Sequence, residues 1–118
     1  LDAAGVAPDP AFEPDGMSLL AVWRDPSQSL RRPMHWRMNH RGQRALREGD
    51  WKYLRVDGHD YLFHLEGDER ERANLAPIAP ERLAAMVQAW EAWEATMPPI
   101  PADATVSLGY GVKDMPQR

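Results

Sequence analysis

From Pro33 onward the chain alternates apolar and polar positions with a period of two, the mark of half-buried strands. In MHWRMNH, Met34, Trp36 and Met38 alternate with His35, Arg37 and Asn39. HRG turns the chain, and QRALR and WKYLRV follow as the two arms of a hairpin around Glu48-Gly49-Asp50. Asp57-Gly58 is a tight-turn dipeptide, and YLFHL makes a fourth strand. Trp51 and Tyr53 fall on one face of WKYLRV, with Leu54 and Val56 on the other; Tyr61, Phe63 and Leu65 oppose Leu62 in YLFHL. Neither face is wholly polar. One helix covers only one of them, so the second is expected to dock elsewhere.

After the polar loop EGDERERANLAP the period changes to that of a helix. Leu83, Met86, Val87, Trp90, Trp93 and Met97 form a continuous stripe at helical spacing, with Arg82, Gln88, Glu91 and Glu94 on the remaining surface. Pro80 suits a first helical position, Glu81 the positive end of the dipole, and Pro98-Pro99 ends the run. Upstream, residues 7–33 are rich in Pro, Asp and Ser, and only MSLLAVW has the density of a short helix. The opening LDAAGV reads as the last turn of a helix stopped by Gly5, which leads us to expect a longer polypeptide upstream. The pattern therefore predicts an α+β fold: a four-stranded antiparallel sheet packed by one long C-terminal helix. An irregular connector (1–33) precedes the sheet-and-helix unit (34–97), and an extended tail (98–118) follows it.

Composition narrows the functional classes. A chain of 118 residues has room for one modest core. No run of about 18 apolar residues is present to span a membrane. The absence of Cys excludes disulfides, a thiol nucleophile and cysteine-based zinc sites, and leaves the compartment open. The net charge of −4 hides an asymmetry. Between Arg31 and Arg55 there are eight basic residues against two acidic, a local charge of +6; the rest holds six basic and sixteen acidic, −10. Such a basic sheet can meet anions or an acidic surface, or be solvated and paired with the acidic helix.

No active site assembles from the residue types. His35, His40, His59 and His64 lie on different strands and turns, without the close spacing of zinc ligands. Ser18, Ser27, Ser29 and Ser107 stand in no nucleophile motif, and Gly109-Tyr110-Gly111 is a lone glycine pair. An RNA platform would need an RNP-type motif and a basic chain, and both are missing.

Six segments, taken in order, resemble the C-terminal region of the type I sulfatases, the formylglycine-dependent arylsulfatase family with an alkaline-phosphatase-like fold. LDAAGV resembles the end of the helix that family writes roughly PTLLDLAG, and DGMSLLAVW resembles DGxSLLPLL. RRPMHWR is similar to RPLFWR, and QRALREGDWKYLR to xRAVRxGDWKLI. DYLFHLEGDERERANLA is similar to ELYDLxxDPxExxNLA, and PERLAAMVQAWEAWEATM to the helix that closes the domain. His64 departs from the usual Asp, and Glu69-Arg70 from a common Pro-Gly. The tail past Pro98 matches no family motif.

The resemblance implies that the chain is the C-terminal part of a sulfuric ester hydrolase, joined to an upstream catalytic domain of the same polypeptide. That domain would supply formylglycine, made from Cys or Ser in C/S-x-P-x-R, and a divalent cation, typically Ca²⁺. The substrate would be a sulfated small molecule or glycan. No such motif lies within positions 1–118, so this piece alone is expected to be inactive, with no cofactor or metal of its own. Its expected contribution is to complete the fold and the rim of the substrate pocket. The rim candidates are His35, Arg37, His40 and Arg41, whose cationic donors suit a sulfate ester. Two alternatives stay open: a free-standing anion- or protein-binding module without hydrolase activity, and a pseudo-enzyme whose upstream domain lacks the nucleophile.

Overall fold

Four antiparallel strands follow one another in chain order: β1 (Met34–Arg37), β2 (Arg44–Glu48), β3 (Trp51–Val56) and β4 (His59–His64). The computed structural model describes residues 1–12, 14–28 and 32–104. Ser29, Ser107, Gly109-Tyr110-Gly111 and most of the predicted 98–118 tail lie outside them.

Local chemistry sets the strand connections. Glu48 pairs with Trp51, leaving Gly49-Asp50 as a two-residue turn in which Gly49 takes φ +59°. Val56 pairs with His59 across Asp57-Gly58, both at positive φ, as the primed hairpin turns require. Between β1 and β2 the chain makes one 3-10 turn, His40–Gly42, in which Arg41 itself is left-handed at φ 57°, ψ 23°.

The helix α2 (Pro80–Glu94) covers the sheet face that carries His35, Leu46, Tyr53 and Leu62, which face one another across the four strands. Leu46, Tyr53, Leu62, Met86 and Trp90 form the buried cluster, with Leu83, Val87 and Trp93 against it. The helix stops three residues short of the predicted Met97. Thr96 and Met97 turn back onto the Trp93 and Glu94 carbonyls, an i→i+3 closure that tightens the last turn before Pro98-Pro99.

The fourth strand starts two residues earlier than predicted, at His59, and ends one earlier, at His64, so that Leu65 begins the loop. That loop returns to close the outer edge of β4. The Leu62 N–H donates to Asn74 Oδ1 at 3.1 Å, and the Leu75 N–H donates to the Leu62 carbonyl at 2.7 Å. Asp68 holds the loop by accepting from the Ala73 N–H at 2.8 Å.

The second sheet face is only partly open. Ala45, Val56, Tyr61 and Phe63 are buried, and Glu71 reaches Lys52 at 2.6 Å. Trp36 remains about half exposed, at one side of a groove of about 280 Å³ lined also by Met38, Ala45, Lys52 and Leu54.

Residues 1–31 form a separate compact unit. It holds a 3-10 turn, Asp2–Ala4, closed by Gly5 at φ 66°, and a single helical turn, α1 (Leu20–Arg24). The Ser18 hydroxyl donates to Asp2. None of its described residues is buried.

Candidate functional site

Strand β1 and the turn after it carry all four rim candidates. Alternation places His35 and Arg37 on the face beneath α2. The His35 ring stacks on Trp93, with centroids 4.8 Å apart and planes 13° from parallel. Burial there pushes the His35 imidazole below its ordinary pKa, partly opposed by the Glu48 charge. Arg37 is bound at both ends of its fork: one Nη donates to Glu94 Oε1 at 2.8 Å and the other to the Pro98 carbonyl at 3.0 Å. These two side chains thus clasp the C-terminal end of α2.

His40 and Arg41 sit together in the left-handed turn. Arg41 pairs with Asp57 at 3.4 Å, and its carbonyl accepts the Asp57 N–H at 3.3 Å. The β1–β2 turn is thereby fastened to the β3–β4 turn. A non-glycine residue at φ 57° is uncommon and costs of order 1 kcal/mol. The double contact with Asp57 holds the strained backbone in place.

Two features escaped the period-2 pattern. The first is a row of arginines: Arg37 faces Arg44, and Arg44 faces Arg55. The second is the polar chain that runs from it. Arg44 Nε donates to the Tyr53 hydroxyl at 2.8 Å, and that hydroxyl donates to Asp60 Oδ1 at 2.9 Å. Burial, and next the bond to Asp60, raise the Tyr53 phenol to about 12, against the opposing pull of Arg44. Among the described residues, no group of three or more His, Asp or Glu side chains is placed to hold a metal ion. None of their helices is long and apolar enough to cross a membrane.

No family model matches the chain, and no curated protein matches it in sequence. Solved structures do. A 6S-sulfatase of Bacteroides thetaiotaomicron, solved in work on that organism's metabolism of multiple glycosaminoglycans, is similar to it with a TM-score of 0.59 at 21% identity. The chain shares its fold with part of a sulfatase. The match covers 70% of this chain and 20% of the other, so the chain spans about a fifth of that structure's length. These 118 residues contain no Cys, and no Ser followed by x-Pro-x-Arg.

Proposed function

We propose that this chain is the C-terminal part of a sulfatase, a sulfuric ester hydrolase, and that it completes that enzyme's fold and the rim of its substrate pocket. The observation that carries the reading is the shared fold of the four-stranded sheet and closing helix with a 6S-sulfatase. Six sequence segments in matching order support it independently. On this reading an upstream domain of the same polypeptide supplies formylglycine and a divalent cation such as Ca²⁺, and the substrate is a sulfated small molecule or glycan. Of the four rim candidates, His40 and Arg41 fit the role best, because they lie on the turn after β1, whereas His35 and Arg37 lie beneath α2. A cation on a turn braced by Asp57 offers an anionic substrate a donor already in position.

The first test is the coding sequence in frame upstream of Leu1. A C/S-x-P-x-R motif with clustered Asp residues is expected there; a start codon a few residues away would remove the hydrolase reading. In the full-length enzyme, Arg41→Ala is expected to lower kcat/KM about tenfold for sulfate esters. An unchanged value would take Arg41 off the rim.

A further inference from the structure

Three arginines stand in one row across the sheet. Register sets Arg37 opposite Arg44 and Arg44 opposite Arg55, on adjacent strands about 5 Å apart. Like charges directly opposite one another destabilise a sheet, so each needs a counter-charge, and the three are served unevenly. Arg37 has Glu94 at 2.8 Å and the Pro98 carbonyl at 3.0 Å. Arg55 has Asp60 at 3.6 Å and the Gly58 carbonyl at 3.3 Å.

Arg44, in the middle, is the least exposed of the three and the least well matched. Its side chain is 14% exposed, and its acidic neighbour among the described residues is Glu91 at 3.7 Å, beyond hydrogen-bonding reach. The Glu91 side chain is 59% exposed, so solvent screens that pair. Meanwhile the guanidinium is held in one orientation. Its Nε is engaged by the Tyr53 hydroxyl, and its carbon lies 4.6 Å from the centre of the Trp90 ring. Together with Arg37, Arg55, Trp90, Glu94 and Ile100 it lines a groove of about 340 Å³.

The geometry points to this groove as a binding site for a small oxyanion, the sulfate or carboxylate group of an anionic ligand. A guanidinium meets such a group through two parallel N–H···O bonds. Because Tyr53 and Trp90 already fix Arg44, little side-chain freedom is lost on binding. The anion supplies a close counter-charge at the centre of the row, where Glu91 stands off at 3.7 Å, and Trp90 and Ile100 give the body of the ligand an apolar wall. Glu91 is then the internal competitor for Arg44. The site stands on the arginine row and holds whether or not the chain belongs to a sulfatase.

The test is a titration of the full chain with sodium sulfate at constant ionic strength, read by NMR at the Arg44 Nε–H and the Trp90 indole N–H. Saturable shifts at those two signals are expected. Arg55→Gln should weaken binding by about tenfold, with the remaining amide spectrum reporting an intact fold. Glu91→Gln should tighten it roughly threefold by removing the competitor, a gain that a misfolded variant cannot mimic. Acetate and a monosaccharide sulfate, run in parallel, separate carboxylate from sulfate and free ion from ester; saturation by any of them at the same two signals supports the site. Shifts that never saturate, or that spread equally to Arg47 and Lys52, overturn the inference. So does an affinity that Glu91→Gln leaves unchanged.

Discussion

The indole Nε1–H of Trp90 donates to the main-chain carbonyl of Trp36 at 3.1 Å. One helix residue thereby grips the backbone of the first strand, while its ring supports Arg44 and joins the buried cluster. Trp90→Phe keeps most of the buried ring but removes the donor. It should cost about 2 kcal/mol in urea unfolding, with the loss shared between hydrogen bond and packing.

Tyr53 gives the fold an alkaline limit. Its phenol is raised to about 12 in the folded chain, against an ordinary 10.0. The unfolded chain therefore loses this proton first. The stabilisation is whole below pH 10 and disappears as pH climbs to 12, a span worth about 2–3 kcal/mol. Tyr53→Phe should flatten that part of the stability profile. At neutral pH it should cost about 1–3 kcal/mol, because Arg44 Nε and Asp60 lose a buried partner.

Asn74 acts as a substitute strand. Its Oδ1 accepts from both Leu62 N–H and Ala76 N–H, at 3.1 and 3.0 Å. Asn74→Ala leaves the Leu62 amide without its partner and should destabilise the chain by about 1–3 kcal/mol. Amide exchange at Leu62 should accelerate more than at Leu46, which lies on an inner strand.

Acid should release the loop before the core. The Asp68 carboxyl is held below its ordinary 3.8 by the backbone N–H groups of Ala73 and then Arg72. A depressed carboxyl stabilises the fold above its unfolded value, and the contribution fades as pH falls below 3.8 through the folded value. Protection of the Ala73 amide should fade over that range, and Asp68→Asn should remove the pH dependence.

The hairpins and the helix were legible because their signals are local. Asp57-Gly58 names its own turn, and the stripe from Leu83 to Trp93 needs only the helical period. The arginine row was not legible in the same way. Arg44 and Arg55 each read singly as a solvated strand residue and Arg37 as a rim candidate, and only the pairing register brings the three together. The same holds for Asn74, whose partner Leu62 is twelve residues away and reached by a polar loop with no period. His35 and Arg37 were named as rim candidates for their cationic donors, and their contacts with Trp93 and Glu94 were not legible, since strand alternation alone does not say which face the helix takes.

The stitch at Leu62 also bears on how copies of the chain can meet. Asn74 and Leu75 occupy the N–H and carbonyl of Leu62, near the middle of β4, which another strand would need. Among the described residues, β1 pairs with β2 alone. Strand-to-strand recruitment is therefore one-sided: two molecules joined along β1 would each present a sealed flank, and the assembly would end at two instead of growing into a fibre.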